Sequence, residues 1–379
     1  MVTKQRRHVF NPPQFQGIAI AGTEQKYAID RTWPVEEIHL VVSGTVGTAF
    51  GTLTPDGILG LIKKVNLSVN DGVQPRSVVD FTGVGLLEYA ANAGLNLDSA
   101  TLELVRLQLT GTITASLSFR ATYRIPLVHP MIQEPLRTRM LLPAQNWDQD
   151  LNLSVQFAAL TDIGATGTLT ALSTEVVLVR RIMPEALNQQ ILSSGGYIPF
   201  DLIEQPFSIG VGVSGEQRIS IPAPGSYLNL NLRSYKGGAS ITRDVLDAVT
   251  TLGSETKWIL TSGGVTEQEF RFKHIQTANE FSRPTNALSN TSSPVIGGAV
   301  ATNTAYRPAA SIMLDFMGDG LNDANELGSA LDLNLPQRSG LKMELVGSVA
   351  SAATNGHVLY IGGHRLYGDL SRWQSARGL

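Results

Sequence analysis

The stretch TYRIPLVHPMIQEPLRTRMLLPAQNWDQDLNLSVQF, residues 122–157, decides how the chain is read. It opens as the end of a strand, in which Leu117, Phe119, Ala121 and Tyr123 alternate with Ser118, Arg120, Thr122 and Arg124. Successive side chains of a strand point to opposite sides of the pleat, so this alternation predicts a sheet with one buried and one wet face. Pro126, Pro130 and Pro135 then rule out a continuous ladder or helix, because each lacks a backbone donor. The chain turns through Leu141, Leu142 and Pro143. It re-enters a strand where Leu151, Leu153, Val155 and Phe157 alternate with Asn152, Ser154 and Gln156. Two alternating strands joined by a long proline-set excursion belong to a β-sandwich.

Working outward, residues 17–21, 27–30, 38–43 and 58–69 read as strands. The last closes on Asn70, Asp71 and Gly72, a turn sequence because Asp-Gly accommodates positive φ. Residues 77–93 read as a helix, with Ser77 as cap, Val78, Phe81, Leu86, Leu87 and Ala90 as its apolar stripe and Gly94 as its stop. Gly83 and Gly85 cut against that pattern. Residues 101–124 give two strands around Gly111, and 169–181 give another. Pro184 suits a first helical position, and 185–192 form a short helix stopped by Ser193, Ser194, Gly195 and Gly196.

The second half repeats this grammar. Strands are expected at 207–213, 217–221, 227–233, 258–261, 268–274, 310–316, 341–346 and 357–361, with helices at 242–252 and 322–331. Residues 279–306, rich in Ser, Thr, Asn and Gly, read as a long exposed loop. Leu335-Pro336 before 341–345 rhymes with Leu142-Pro143 before 151–157, which points to a structural duplication. The fold class expected is all-β: two jelly-roll β-sandwiches in tandem with a few short helices. The boundaries are a basic N-terminal arm at 1–14, a first jelly roll at 15–183, a helical linker at 184–196, a second jelly roll at 197–368 and a tail at 369–379.

Composition agrees. At 379 residues the chain exceeds the roughly 250–300 at which single cores stop growing. Apolar residues at 42% and charged residues at 16% describe a globular chain, and 37 glycines favour a turn-rich one. A net charge of −3 argues against broad binding of a nucleic-acid backbone, so no sequence-specific nucleic-acid partner is expected. The absence of cysteine removes disulfides, thiolate metal sites and Cys nucleophiles together. No apolar run reaches the roughly 18 residues of a spanning helix and no signal-peptide pattern opens the chain, so the expectation is a soluble protein. Residues 1–13 carry Lys4, Arg6, Arg7 and His8, and no acidic residue precedes Glu24. Both a frayed terminus and an arm reaching an anionic surface or neighbouring subunit fit that composition.

The search for chemistry returns no catalytic set. Gly210, Gly212 and Gly215 match the dinucleotide spacing, but a strand and not a helix is expected after them, which leaves no helix N-terminus for a pyrophosphate. Ser214 lacks a nucleophile-elbow frame, because Glu216 stands where the second glycine belongs. His8, His39, His129 and His274 are scattered; His357 and His364, seven apart, are the one pair worth testing as metal ligands. Asp315, Asp319, Asn322, Asp323 and Glu326 are dense, yet Met317 stands where an EF-hand loop needs an oxygen ligand. Helix capping explains them better. Trp33, Trp147, Trp258 and Trp373 read as core or interface anchors before a sugar platform. Glu267 and Glu269 share a strand face, which usually serves solvation and not catalysis.

A resemblance covers nearly the whole chain. Residues 59–70 (LGLIKKVNLSVN) leading to the helix at 77–93, then Tyr123-Arg124-Ile125-Pro126, Leu141-Leu142-Pro143 and 150–157, resemble a first jelly roll. Residues 227–233 before a helix, and Leu314-Asp315-Phe316 before 327–332, resemble a second. The family is that of the double jelly-roll major capsid proteins of tailless icosahedral, often membrane-containing bacteriophages of the adenovirus-like lineage. The resemblance implies a structural, non-enzymatic protein of the virion, made in the host cytoplasm. It implies a homotrimer with pseudo-hexagonal outline whose partners are neighbouring capsomers, penton and minor capsid proteins. Lys4, Arg6 and Arg7 would then face an internal lipid membrane or the inner shell. No cofactor is implied; structural calcium occurs in some relatives, and no motif here supports it. The rival from another class is a tandem β-sandwich carbohydrate-binding or adhesive protein using Trp147 or Trp258.

Overall fold

The computed structural model describes residues 3–10, 23–46, 60–70, 75–93, 117–146, 151–163, 169–210, 213–236, 242–243, 257–271, 274–275, 278, 295–296, 299–300, 311–316, 331–332, 343–349 and 356–367, apart from 131, 133, 135, 214, 222–224 and 263–264. The chain divides into two compact units. One comprises Met1–Pro130, Arg139–Tyr197 and Thr285–Arg307; the other comprises Met131–Thr138, Ile198–Pro284 and Pro308–Leu379.

Unit one contains β1 (Thr3–Phe10), β2 (Glu24–Ala28), β3 (Val35–Val46), β4 (Ile62–Asn70), β5 (Pro75–Phe81), β6 (Leu117–Pro126), β7 (Leu151–Phe157) and β8 (Leu169–Ile182). They pair antiparallel in two layers, ordered β1-β8-β3-β6 and β5-β4-β7-β2. The chain therefore changes layer at almost every connection, which is jelly-roll topology. Alternation fixes what is buried: Ile38, Leu40 and Val42 of β3 align with Ile125, Tyr123 and Ala121 of β6 on one apolar face. Val65 and Leu67 of β4 do the same with Val155 and Leu153 of β7. The Tyr27 hydroxyl and Thr174 Oγ1, 2.6 Å apart, join β2 to β8 and so tie the layers together. Burial pushes the Tyr27 phenol above its ordinary pKa, so it holds its proton.

Several expectations are corrected in this unit. The helix α1 spans Gly83–Asn92 and not 77–93, because 77–81 lie in β5, where Val79 and Phe81 pair with Leu67 and Val65. The β-branched Val78 and Val79 and the aromatic Phe81 fit a pleated ladder better than a helix. The cap is Thr82, whose Oγ1 accepts the Gly85 amide at 3.0 Å, and not Ser77. Gly83 is required at the helix start, since a Cβ there would come within 2.6 Å of the Ile62 Cβ. The segment expected as a free arm is likewise a strand: β1 pairs with β8, with Lys4 opposite Arg181 and Arg6 opposite Val179. The proline-set excursion holds the short helix α2 (Leu136–Arg139). The helix α3 (Glu185–Ser193) has Pro184 as its N-cap residue and not as its first helical residue. No described helix is long and apolar enough to cross a membrane.

Unit two contains β9 (Phe200–Ile209), β10 (Gly215–Ile221), β11 (Ser226–Tyr227), β12 (Asn229–Lys236), β13 (Thr242–Arg243), β14 (Trp258–Ser262) and β15 (Val265–Phe270). The paired two-residue strands β16 (Val295–Ile296) and β17 (Ala299–Val300) fall in unit one, and unit two continues with β18 (Ser311–Asp315), β19 (Leu331–Asp332), β20 (Met343–Val349) and β21 (His357–Leu366). One layer runs β10-β20-β14-β15. In the other, β21 pairs with β9 and β12, and β12 pairs with β18. Setting aside the two-residue strands and numbering the rest in order, unit two has layers 1-8-3-6 and 2-7-4-5. Those are the orders of unit one. The duplication expected from the sequence is a duplicated topology. Ile219, Ile221, Trp258, Leu260, Phe270 and Leu345 of one layer and Leu230, Leu232, Ile312, Leu314, Leu359 and Ile361 of the other form a single core.

Three further readings change in unit two. Thr242, expected to cap a helix, lies in β13 opposite Lys236. The strand expected at 268–274 starts and ends earlier, at 265–270, and His274 and Ile275 are helical. The strand expected at 207–213 is β9, which begins at Phe200. The expectations at 17–21, 71–72, 94, 101–116, 244–252, 279–294, 301–306, 317–330 and 369–379 lie outside the described residues. In the core of unit two, Trp258 is fully buried directly opposite Gly347, and a Cβ on that glycine would overlap the indole. Gly347→Ala should therefore destabilise unit two by about 1–3 kcal/mol through overpacking, read by guanidinium unfolding. Gly210→Ala, where only the Val213 side chain lies near at 3.4 Å, is the control.

Candidate functional site

Each unit carries charged side chains inside it, and these set what the protein can do chemically. In unit one the outer face of β3 presents Glu37 and His39, respectively 7% and 5% exposed. Register places Arg124 of β6 directly opposite His39, and its guanidinium donates to both Glu37 oxygens, at 2.5 and 3.0 Å. His39 Nε2 lies 3.0 Å from Glu37 Oε1. Burial alone would raise the Glu37 pKa, but hydrogen bonds from His39 and Arg124, and their charge, outweigh it and hold the carboxyl at about 2. Beside it, Arg181 donates to Glu36 at 2.5 Å and Arg180 to Asp30 at 2.8 Å.

The end of α3 is held by a buried cation. Arg139, 1% exposed, donates to the backbone oxygens of Ser194 at 3.3 Å and Gly196 at 3.2 Å, and to Ser194 Oγ at 2.8 Å. A guanidinium suits the free carbonyls at a helix C-terminus, where the dipole is negative. Gly195 and Gly196, at φ 112° and 80°, supply the left-handed turn that brings those carbonyls round. Alongside, Tyr197 donates to Asn188 Oδ1 at 2.8 Å, and Asn188 donates to Asn146 Oδ1 at 3.1 Å. Burial pushes the Tyr197 phenol up to about 12.

Unit two holds a second pair of buried ions. Arg233 of β12 donates to Glu204 of β9 at 2.9 Å and to the Tyr235 hydroxyl at 2.6 Å, with the Tyr360 ring 4.2 Å from its guanidinium. Arg365 of β21 is bidentate to Asp201, at 3.1 and 2.8 Å. Tyr367 completes that group through its hydroxyl and Asp201. Each of these carboxylates is hydrogen-bonded to a cation that is itself buried.

The residues singled out from sequence are dispersed. His357 and His364 lie on β21 seven positions apart, hence on opposite faces, so they form no metal pair. His364 is fully buried against Phe200, and burial holds its pKa at about 3. Among the described residues no group of three or more His, Asp or Glu side chains is placed to hold a metal. Gly215 begins a strand, as the dinucleotide reading required for its rejection. Glu269 pairs with Lys257 across the edge of its sheet. Trp258 is core, so it offers no sugar platform; Trp33 is half-buried, and Trp147 and Trp373 lie outside the described residues. Of the acidic cluster only Asp315 is described, in β18. Lys4, Arg6 and Arg7 lie on β1, the terminal strand of its layer. Sequence reasoning passed over Glu37, Arg139, Asp201, Glu204, Arg233 and Arg365. Alternation assigns most of them to a wet face, and nothing local says that the face is covered.

No protein-family model and no curated protein matches the sequence. Solved structures do match. A chain of Sulfolobus Turreted Icosahedral Virus superposes with a TM-score of 0.62 at 15% identity, over 96% of this chain and 90% of that one. This chain has the double jelly-roll fold. A chain of the PBCV-1 virus capsid matches with a TM-score of 0.55 at 10% identity, over 97% and 95% of the two chains. The major capsid protein P2 from Bacteriophage PM2 matches at 0.50 and 11%, over 97% and 98%. At these identities the shared property is the fold.

Two outcomes follow from the buried charges. Arg233→Met should cost about 3–5 kcal/mol by stranding Glu204, and the double variant Arg233→Met/Glu204→Met should cost markedly less, as read in urea unfolding. The pH dependence has a definite sign. Glu37 is depressed from 4.5, so its contribution is complete above that value and is lost as pH falls through about 2. His364, neutral in the fold, costs stability as pH falls from 6.5 towards 3, where the unfolded chain takes up the proton first. Stability should fall monotonically from pH 7 to pH 3. Glu37→Gln should lower it at pH 7 by about 2–3 kcal/mol and flatten the slope below pH 4.5.

Proposed function

We propose that the protein is a structural capsid protein, which trimerises into pseudo-hexagonal capsomers and assembles an icosahedral viral shell. The observation that carries this reading is the repetition of one eight-strand order, 1-8-3-6 and 2-7-4-5, twice in a single chain. Solved structures that include the major capsid protein P2 of Bacteriophage PM2 superpose on this chain along nearly their whole length, which supports the reading. The described interior also supports a structural role. Its buried carboxylates at Glu37, Asp201 and Glu204 are bound by arginines rather than poised in a cleft.

On this reading the protein resides in the virion after synthesis in the host cytoplasm. Its partners are further copies of itself, neighbouring capsomers, and penton and minor capsid proteins. It needs no cofactor. Lys4, Arg6 and Arg7, carried on β1, face an internal lipid membrane or the inner shell. Light scattering on the purified chain should give three times the subunit mass, with a six-sided outline in electron micrographs. A stable monomer at micromolar concentration overturns the assignment.

A further inference from the structure

One layer in each unit has an outer face that reaches solvent. In unit two it is the layer β10-β20-β14-β15. Its inner face is core, carrying Ile219, Leu345, Trp258, Leu260 and Phe270, so the alternate positions point outward. Register sets four of these in a single row across the layer: Arg218 of β10, Val346 of β20, Ile259 of β14 and Glu269 of β15. The ends of the row are open, with the Arg218 side chain 63% and the Glu269 side chain 45% exposed. Val346 and Ile259, at its centre, are half-buried. An apolar centre with a charged rim is the cross-section of a protein interface.

Unit one contains the equivalent layer and so provides an internal comparison. Across β2, β7, β4 and β5 its row reads Lys26, Ser154, Asn66 and Asp80. Cation and anion stand on the same strands of the shared order as Arg218 and Glu269. The two central residues differ in kind. Ser154 donates through its hydroxyl to Glu24, and Asn66 donates to Ser77 Oγ at 2.8 Å. Those side chains are satisfied with water over them. Val346 and Ile259 can make no such bonds, and apolar surface left in water is unfavourable. The chain thus keeps the charges of the row in both units and makes its centre apolar in one.

We propose that the outer face of β10-β20-β14-β15 packs against the same face of a second copy, about a two-fold axis that runs along the strands. That axis reverses the row. Arg218 then meets Glu269 of the second copy, Val346 meets Ile259, and the same contacts repeat on the other side of the axis. An axis along the row would instead set Arg218 on Arg218 and Glu269 on Glu269, which like-charge repulsion disfavours. The apolar centres interdigitate as in sheet-on-sheet packing, and the rim charges fix register and partner. Within the chain Arg218 pairs with Glu216 at 2.9 Å and Glu269 pairs with Lys257, but Glu216 is 57% and Lys257 53% exposed. Such pairs are worth little and are readily exchanged. An isologous contact joins copies in twos and cannot close a ring of three. On the capsid reading, on which this inference rests, it joins one trimer to the next.

The test is sedimentation equilibrium of the full chain over a range of concentration, at low and high salt. Arg218→Glu and, separately, Glu269→Arg should each raise the concentration at which trimers pair at least about tenfold. The chain carrying both substitutions restores the match across the axis and should return towards the wild-type value, and salt should weaken wild-type pairing. Val346→Ser/Ile259→Asn, which gives the row the centre it has in unit one, should weaken pairing by a similar factor. Urea unfolding checks that each variant folds, and the charge exchange at exposed positions stays informative if the central variant does not. A wild-type trimer that never pairs, pairing insensitive to both single charge variants, or pairing that the double variant fails to restore overturns the contact and leaves the capsid reading intact. Loss of the trimer itself with Arg218→Glu places this face inside the trimer and overturns the two-fold contact too. A wild-type dimer with the same charge response keeps the contact and removes the trimeric reading. A monomer at every concentration removes both.

Discussion

The third long strand of each unit, β3 in one and β12 in the other, is buried on both faces, and much else in the fold depends on that constraint. From Val35 to Val42 no residue of β3 is more than 7% exposed, and from Asn229 to Tyr235 no residue of β12 exceeds 6%. A strand in a two-layer sandwich ordinarily keeps one wet face. Here the inner faces are conventional: Ile38, Leu40 and Val42 in one case, Leu230 and Leu232 in the other. The second faces carry Glu37 and His39, or Arg233 and Tyr235, in places from which water is excluded. A charge in that position is tolerable only with a geometrically sound partner, since its desolvation otherwise costs several kcal/mol.

The two units meet this demand with opposite polarity. In unit one the third strand supplies the anion, Glu37, and the sixth supplies the cation, Arg124. In unit two the third strand supplies the cation, Arg233, and the first supplies the anion, Glu204. Topology is thus duplicated while side-chain chemistry is not, which is what a packing problem solved twice would give. A buried ion pair contributes little net stability compared with a well-packed apolar pair, but breaking it is costly. Such pairs therefore act chiefly against wrong registers. A one-residue slip of β12 would leave Arg233 facing the apolar core and Glu204 uncompensated.

How much of this was legible in the sequence follows from the same distinction. Inner-face alternation is a local property, so β6, β7, β12 and β14 were readable to within a few residues, as was the duplication. The helix at 83–92 was placed too early because Val78 and Phe81 fit a helical stripe as well as a ladder; only pairing with β4 decides between them. β1 was read as an arm because a basic, proline-flanked terminus carries no strand signal of its own. Its register is supplied by β8. The buried charges were illegible for a stronger reason: alternation puts them on the outer face, and what covers an outer face is decided by residues far away in sequence. Asp201 and Arg365 lie 164 positions apart.

The titratable groups with shifted pKa values among the described residues share one electrostatic character. An active site needs a titratable group left partly unsatisfied, with its pKa near working pH. In this interior the forces run the other way. Glu37 is driven down to about 2 by its cations, His364 is held neutral by burial, and the Tyr27 and Tyr227 phenols are raised by it. Every one of these groups has a single protonation state across neutral pH.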